Sequence, residues 1–290
     1  EHKLRSTLTT LGVIIGVAAV IPFGESDVTA PSDDHPTALV TGAASGIGRA
    51  LAAEFARDGH HVVLVDVDEA GMASAAADLE ANYGVETTEI AADLSERGAA
   101  REVYESVREE GLTVDALVNN AGFGVYGEFT DTDLDAELEM VQLHVACVTS
   151  LSKLFAREMA DRSDGSILNT ASVAGFAPTP TAAVYSATKH YVLAFSEALA
   201  GELADDGVTV TALCPGETKT GFFDRGNVGE AAFADGDLMD PEAVAAAGYA
   251  GLQRGDRVVV PGVKNKFRLF VKRLLPRAVY ARASGRTWNE

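Results

Sequence analysis

Strongly apolar runs and amphipathic stretches alternate along most of this chain. The runs are short, rich in Val, Leu and Ile and almost uninterrupted, which predicts strands buried on both faces of a sheet. The stretches between them repeat apolar residues with a helical period. Strands are predicted over residues 37–41, 61–66, 86–93, 115–119, 166–172, 208–214 and 257–261, and helices over 46–57, 69–82, 95–110, 133–160, 182–205 and 241–254. This alternation predicts an α/β fold with one doubly wound parallel sheet and helices on both faces.

Residues 1–24 do not follow this pattern. Lys3 and Arg5 precede an apolar run over residues 11–23, which grows to 8–23 when the preceding residues are included. A basic flank before an apolar stretch is typical of a signal-like or membrane-anchoring segment, and a spanning helix needs about 20 residues. The stretch also resembles the first transmembrane helix of MacB-type transporter permeases. A membrane anchor and a fragment misjoined from another reading frame therefore both stay open.

Composition divides the rest of the chain into three regions. Residues 25–36 are polar and acidic and contain proline, which predicts a linker before the folded domain over residues 37–262. The tail, residues 263–290, carries eight basic residues and one acidic residue. Its apolar residues share one helical stripe, namely Phe267, Phe270, Val271, Leu274 and Ala278. Such a tail suits an anionic membrane, but we expect it to dock onto the acidic body or onto a second subunit of a homo-oligomer, a dimer or tetramer.

The chain is acidic, with 290 residues, a formal net charge of −20 and a pI of about 4.6. Such a surface repels nucleic acid, so the sequence disfavours DNA or RNA as a partner. Salt would screen the self-repulsion, and we expect a halophilic, cytoplasmic protein that is membrane-associated if the apolar N-terminal segment is native. Cys147 and Cys214 lie in apolar runs and offer neither a disulfide framework nor metal-ligand spacing, so no metal site is predicted.

The segment TGAASGIG, residues 41–48, joins the first predicted strand to the first predicted helix. Gly42, Gly46 and Gly48 let the backbone turn sharply and approach a pyrophosphate, while the helix N-terminus supplies N–H groups and a favourable dipole. A glycine triplet alone also fits a simple turn. Here a strand precedes it and a helix follows, which is the context of a Rossmann-type dinucleotide site.

Asp66 ends the second predicted strand, 18 residues after Gly48. A carboxylate at this position can accept hydrogen bonds from an adenine ribose and would repel a 2′-phosphate. The neighbours best placed to hold a basic group, Ser45 and Val67, are uncharged. The sequence therefore predicts NAD as cofactor, with NADP less favoured; the alternative for Asp66 is a solvated strand end.

Tyr185 and Lys189 are four residues apart in a predicted helix, so they share one helix face. Taken alone they also fit a surface pair. A tyrosine with an ordinary pKa near ~10 is a poor base at neutral pH. An ammonium about 4 Å away, at an effective dielectric near 20, supplies about 4 kcal/mol and lowers that pKa by about 3 units. Ser172, at the end of the fifth predicted strand, can hold a substrate oxygen by a hydrogen bond.

His144 lies in VQLHVACV, four residues after Met140 and four before Val148, on the apolar stripe of the long predicted helix. A lone histidine on such a stripe is more often a core residue with a satisfied hydrogen bond than a functional one. Both interpretations are open on this pattern alone.

The ordered set TGAASGIG, Asp66, Asp93, NNAG (119–122), Ser172, YSATK (185–189) and CPGETKT (214–220) resembles the short-chain dehydrogenase/reductase family over residues 37–262. The resemblance implies a nicotinamide-dependent oxidoreductase that interconverts alcohols and carbonyls. It implies Tyr185 as general acid/base, Lys189 as the residue that lowers its pKa and binds the nicotinamide ribose, and Ser172 as the residue that orients and polarises the substrate oxygen.

The resemblance also implies a set of cofactor contacts. They comprise the pyrophosphate loop (Gly42, Ser45, Gly46, Ile47 and Gly48), the ribose and adenine contacts (Asp66, Asp93 and Leu94), the residues along the cofactor (Asn120, Ala121 and Gly122), and those near the nicotinamide (Tyr185, Lys189, Pro215, Gly216, Thr218 and Thr220). In the family the position of His144 is usually an asparagine that holds a water in a proton path from the lysine to solvent. A proton-relay role for His144 is therefore expected, because imidazole donates, accepts and titrates near neutrality.

The substrate is expected to be a medium-sized, partly apolar alcohol or ketone. Its pocket should be roofed by residues 217–250, with apolar walls from Phe222, Phe223 and Phe233 and a lid made mobile by Gly221, Gly226 and Gly229. Two other functions stay open: a cofactor-binding protein without catalysis, and a membrane-tethered interaction protein. The intact set of Ser172, Tyr185 and Lys189 argues against the first.

Overall fold

The computed structural model describes residues 35–220 and 238–273, and these residues form a parallel sheet with helices on both faces. The strands are β1 (Thr37–Thr41), β2 (His61–Asp66), β3 (Thr87–Ala91), β4 (Val114–Asn119), β5 (Gly165–Thr170), β6 (Val208–Leu213) and β7 (Val258–Val259). Their order in the sheet is β3-β2-β1-β4-β5-β6-β7, and every neighbouring pair is parallel. The predicted doubly wound parallel sheet is confirmed.

Eight α-helices are described within these residues. They are α1 (Gly46–Arg57), α2 (Glu69–Tyr83), α3 (Ala99–Glu109), α4 (Leu134–Val141), α5 (Val148–Arg162), α6 (Ala183–Glu202), α7 (Pro241–Gln253) and α8 (Val263–Arg273). The predicted anchor over residues 1–24, most of the linker, the lid residues over 221–237 and the tail beyond residue 273 lie outside the described residues. Among the described residues, no helix has the length and apolar character required to cross a bilayer.

The two faces of the sheet carry separate apolar cores. On one face α1, α2 and α7 pack together, with Phe55 of α1 in edge-to-face contact with Tyr249 of α7 at 4.9 Å between ring centroids. On the other face α3 and α5 cover the sheet, and Phe155 of α5 is fully buried. All five residues of β1 are buried because both layers cover it, as its uninterrupted apolar run predicts.

The strand order reverses between β1 and β4, which are neighbours in the sheet. Chain connections leave these two strands toward opposite faces, so a crevice opens beyond their carboxyl ends. The glycine segment follows β1 and the NNAG segment follows β4. Topology therefore brings two segments that are distant in sequence to the same crevice.

The long helix predicted over residues 133–160 is wider in its middle than expected. Between α4 and α5 the backbone forms a π-helical segment, Gln142–Cys147, and His144 lies within it. The hydrophobic pattern does not reveal this change, because Met140, His144 and Val148 keep the four-residue spacing of an ordinary α-helix. Single π-helical turns inside α-helices occur frequently at functional sites.

Candidate active site

A cleft of about 380 Å³ lies at the carboxyl ends of the strands, over the point where the strand order reverses. Most of the predicted cofactor and catalytic residues line it: Gly42, Ser45, Gly46, Ile47, Asp66, Asp93, Leu94, Asn120, Ala121, Gly122, Tyr185, Lys189, Pro215, Gly216, Thr218 and Thr220. Gly48, Ser172 and His144 contact residues that line the cleft, as described below.

The glycine segment forms a tight loop between β1 and α1. Gly42 has φ +67°, a left-handed conformation that favours glycine. A Cβ atom on Gly48 would lie only 1.9 Å from the Gly42 carbonyl oxygen, so Gly48 is required for the loop to close onto the first turn of α1. The loop therefore exposes backbone N–H groups at a helix N-terminus, which is a cradle for a phosphate group.

Asp66 lies at the end of β2 and braces this loop. Its Oδ2 atom accepts a hydrogen bond from the Ala44 N–H at 2.9 Å, and its Oδ1 atom accepts one from the Asp68 N–H at 3.0 Å. The carboxylate is thus held at the cleft wall by backbone donors from two segments. Beyond β3, Asp93 accepts a hydrogen bond from the Ser95 N–H at 2.9 Å and Leu94 is buried.

The NNAG segment is fastened to the glycine loop through Thr41. The Thr41 hydroxyl oxygen accepts hydrogen bonds from the Asn120 N–H at 2.9 Å and from the Ala121 N–H at 3.0 Å. The Asn120 amide donates to the Thr41 carbonyl at 3.1 Å and accepts from the Thr170 hydroxyl at 3.2 Å. These bonds align the ends of β1, β4 and β5 at one side of the cleft.

Ser172, Tyr185 and Lys189 come together at the base of the cleft. The side chains of Ser172 and Tyr185 are hydrogen-bonded to each other, and the Ser172 hydroxyl oxygen also accepts a bond from the Ala174 N–H at 3.1 Å. The Lys189 ammonium donates to the Thr170 carbonyl at 2.9 Å and lies 5.9 Å from the centre of the Tyr185 ring. All three side chains are buried, so the predicted trio forms one polar cluster in an apolar setting.

The pKa of Tyr185 departs from its ordinary value in the direction opposite to that expected. Burial raises it to about 12, and the hydrogen bonds from Ser172 and Tyr126 oppose that increase. Burial also lowers the pKa of Lys189 to about 8, which leaves it largely charged at neutral pH. The expected decrease in the pKa of Tyr185 took account of the charge of Lys189 but not of the cost of removing a phenolate from water.

Tyr126 is a site residue that the sequence patterns did not reveal. It lies in the loop after β4, lines the cleft and forms a hydrogen bond with Tyr185. It belongs to an irregular segment with neither a strand nor a helix period, and its partner is distant in sequence. Only its place shortly after NNAG could have singled it out.

His144 is fully buried behind the cleft. Its Nδ1 atom lies 2.9 Å from the Thr188 hydroxyl oxygen, and that hydroxyl donates its single proton to the Tyr185 carbonyl at 2.8 Å. Nδ1 must therefore be the donor, so Nε2 carries a lone pair. Nε2 has no hydrogen-bond partner among the described residues, and a Cβ atom on Gly122 would lie 2.6 Å from it. Glycine at position 122 allows this close approach.

Burial, reinforced by the nearby charge of Lys189, holds the pKa of His144 well below its ordinary value. The expectation that this imidazole titrates near neutrality is therefore wrong: it stays neutral there. A neutral imidazole with a protonated Nδ1 can still accept a hydrogen bond at Nε2. Of the donor and acceptor functions expected for His144 in a proton relay, the structure therefore leaves Nε2 available as an acceptor.

The described part of the tail packs beside the CPGETKT segment, residues 214–220. The Asn265 side chain donates to the Pro261 carbonyl at 2.9 Å, and it lies so close to Gly216 that a Cβ there would be 2.5 Å from its nitrogen. Arg268 approaches Glu217 at 3.7 Å. The predicted apolar stripe is exposed at Phe267, Phe270 and Val271, whereas its positions Leu274 and Ala278 lie outside the described residues.

The predicted substrate roof is described only at its edges. Thr218 is buried and its hydroxyl donates to the Gly216 carbonyl at 3.0 Å. The predicted walls and lid glycines lie outside the described residues; they are Phe222, Phe223, Phe233, Gly221, Gly226 and Gly229. No cluster of three or more His, Cys, Asp or Glu suited to a metal occurs among the described residues.

Several known proteins resemble this chain in sequence or in structure. A very-long-chain 3-oxoacyl-CoA reductase of Anas platyrhynchos is 39% identical over 184 residues, covering 61% of this chain. The match spans 58% of that protein, so this chain corresponds to little more than half of its curated relative. A structure of a short-chain dehydrogenase from Sphingobium yanoikuyae in complex with NADPH is 30% identical with a TM-score of 0.74, covering 84% of this chain and 97% of that chain.

A second solved structure points the same way. It is a short-chain dehydrogenase/reductase from Burkholderia phymatum in complex with NAD, 26% identical with a TM-score of 0.75, covering 84% of this chain and 96% of that chain. The family model described as short chain dehydrogenase matches residues 36–231. These matches, together with the parallel sheet and the cleft at its switch point, show that the chain belongs to the short-chain dehydrogenase family.

Proposed function

We propose that this protein transfers a hydride between NAD and an alcohol or carbonyl substrate, with Tyr185 as the general acid/base. The observation that carries the proposal is the buried hydrogen bond between Ser172 and Tyr185 beside the charged end of Lys189. A hydroxyl donor and a transferable proton at one point are what a carbonyl oxygen needs as it becomes an alkoxide. The alternative, a cofactor-binding protein without catalytic activity, would not explain why this polar cluster is buried beside the cleft.

The cleft fits an extended dinucleotide. The loop at Gly42 and Gly48 would hold the pyrophosphate, Asp66 the adenine ribose, and Asn120 to Gly122 the middle of the molecule. The bound nicotinamide would supply or take up the hydride, which no side chain can do. We propose NAD over NADP because the Asp66 carboxylate would repel a 2′-phosphate at this position.

The protein's own residues handle the proton. In reduction, the Tyr185 hydroxyl gives its proton to the substrate oxygen while the Ser172 hydroxyl donates a hydrogen bond to the same oxygen. In oxidation, Tyr185 as tyrosinate takes the proton from the alcohol. Burial favours the protonated form, which suits reduction, while the charge of Lys189 and the two hydrogen bonds at Tyr185 favour the tyrosinate form.

We also propose that His144 occupies a proton path behind Tyr185. Its Nε2 lone pair faces the backbone at Gly122, and its Nδ1 proton is committed to Thr188. A water bound to Nε2 would extend this path toward Lys189, whose charge is near enough to lower the pKa of His144. The rival hypothesis is that His144 only fills the core and ties α6 to the π-helical segment.

For the substrate we propose a medium-sized, partly apolar ketone or the corresponding alcohol. Phe123, Val173 and Ala174 line the cleft beside Tyr185, and they offer an apolar surface rather than charged partners. The curated relative named a 3-oxoacyl-CoA reductase also acts, by its name, on a ketone. The protein itself is proposed to be a homo-oligomer, because Phe129, Leu134 and Leu138 expose large apolar side chains around the start of α4.

A coupled absorbance screen tests this function. The purified protein is mixed with a panel of ketones and NADH, or of secondary alcohols and NAD⁺, and the nicotinamide absorbance is followed. We expect turnover with at least one ketone and a higher kcat/KM with NADH than with NADPH. A consistent preference for NADPH would contradict the assignment of Asp66, and absence of turnover across the panel with either cofactor would contradict the proposed reaction.

A further inference from the structure

Tyr126 contacts the proposed acid/base, Tyr185, as Ser172 also does. The rings of Tyr126 and Tyr185 have centroids 5.6 Å apart and are inclined by 43°, and their hydroxyl groups are hydrogen-bonded. Both side chains line the cleft. The Tyr185 oxygen is therefore flanked by two hydroxyl groups, only one of which is expected from the family resemblance.

The loop that carries Tyr126 is held in place by the loop before α6. The Gly127 N–H donates to the Thr181 carbonyl at 2.8 Å, and Thr181 adopts a left-handed conformation with φ +62°. The Tyr126 ring also packs on the buried cluster formed by Met140, Ala182 and Tyr185. The segments on either side of Tyr185 are thus joined to each other, and Tyr126 is positioned by packing as well as by its hydroxyl group.

Tyr185 loses its proton more easily than Tyr126 does. Burial raises the pKa of Tyr126, and the neighbouring charges of Tyr185 and Glu217 raise it further. Tyr126 therefore stays protonated over the range in which Tyr185 ionises, and its hydroxyl remains a donor. A hydrogen bond to an ionised oxygen is about twice as strong as one to a neutral oxygen, so this donor favours tyrosinate over tyrosine at position 185.

We propose that Tyr126 is a positioning residue for the proposed reaction: its hydroxyl donates a hydrogen bond to the Tyr185 oxygen and stabilises the tyrosinate form. This proposal rests on the proposed function of Tyr185. Under this proposal, both Tyr126, in the loop after β4, and Lys189 influence the proton affinity of Tyr185. The rival role for Tyr126 is that of a cleft wall that only contacts the substrate.

The substitution Tyr126→Phe separates these roles because it keeps the ring and removes the donor. Alcohol oxidation needs tyrosinate, so kcat/KM rises as pH increases through the pKa of Tyr185. Loss of the donor should move this rising limb to higher pH by about one unit, and lower kcat/KM about tenfold on the acidic side of the limb. A cleft wall would instead change KM and leave the limb where it is.

Tyr191→Phe is the matched control. Tyr191 lies on the same helix as Tyr185, is partly exposed and bonds to Thr149 rather than to the cleft. The same chemical change there should leave the pH limb in place. Thermal unfolding of each variant reports whether the fold is intact.

Tyrosinate absorbance provides a second readout that needs no substrate. The titration of Tyr185 is obtained as a difference between two curves. The curve of Tyr185→Phe is subtracted from that of the wild type, and the curve of the double variant is subtracted from that of Tyr126→Phe. We expect the Tyr185 titration to move to higher pH when Tyr126 loses its hydroxyl. A coincident titration would overturn the proposal even if the enzyme is active, whereas an inactive wild type with a shifted titration would overturn the proposed function alone.

Discussion

At the residue scale, the chemistry at Tyr185 results from opposing influences on one oxygen. Burial raises its pKa to about 12, whereas hydrogen bonds from Ser172 and Tyr126 lower it. Lys189 adds positive charge near the ring but is itself shifted toward the neutral form by the same burial. A single lysine is therefore insufficient to explain a tyrosine base in this setting, and the surrounding hydroxyl groups carry part of that task.

His144 provides a test at the same scale. His144→Asn keeps a side-chain oxygen that can accept a hydrogen bond, so we expect it to retain most of its kcat. His144→Leu keeps the bulk and removes the acceptor, and it should lose up to about 10²-fold in kcat. Steady-state kinetics over a pH series checks both, and equal rates for wild type and His144→Leu would restore the core role.

Stability against pH gives His144 a second, independent readout. Its pKa is lower in the folded state than in the unfolded chain, so below the ordinary value of 6.5 the unfolded chain binds more protons. The stability associated with neutral His144 is thus present at pH 8 and is lost as the pH falls below 6.5. Urea unfolding at pH 8 and pH 5 should show a larger loss for wild type than for His144→Asn. Equal losses would mean that burial does not suppress the charge.

At the element scale, much of the architecture follows from the sequence. The strands at Thr37–Thr41 and His61–Asp66 and the helix at Gly46–Arg57 have the predicted bounds, because uninterrupted apolar runs and helical periods are strong signals. The π-helical segment around His144 was not predictable, since Met140, His144 and Val148 have the four-residue spacing of an ordinary α-helix. The contact between Tyr126 and Tyr185 was equally hidden, because loop positions follow no period and the contact depends on tertiary structure.

The elements also explain why the predicted motifs converge. NNAG follows β4 and the glycine segment follows β1, and these strands are adjacent although they are far apart in sequence. Thr41 then joins the two segments by hydrogen bonds to Asn120 and Ala121. The position of the tail was less predictable. Asn265 lies against Gly216 and Arg268 approaches Glu217, so the tail contacts the site. Composition predicted that the tail docks onto the protein but did not indicate where.

At the scale of the whole molecule, we expect the excess of negative charge to make the stability of the fold depend on salt. The formal net charge of −20 produces self-repulsion that salt screens over a Debye length of about 10 Å at 0.1 M and about 3 Å at 1 M. We expect the melting temperature to rise by several degrees between these concentrations of KCl. Differential scanning calorimetry measures it, with isosmolar sucrose as the control for solute exclusion. Full stability at low salt would contradict the halophilic prediction.

The proposed function depends on Tyr185 as the residue that transfers the proton in a nicotinamide-dependent alcohol and ketone reaction. The most direct measurement compares wild type with Tyr185→Phe on the best ketone of the screen, with cofactor affinity measured separately by fluorescence titration. We predict that kcat falls by at least about 10²-fold, as expected on removal of a general acid, while NADH binding is retained. Near-normal turnover in Tyr185→Phe with NADH still bound would contradict the account.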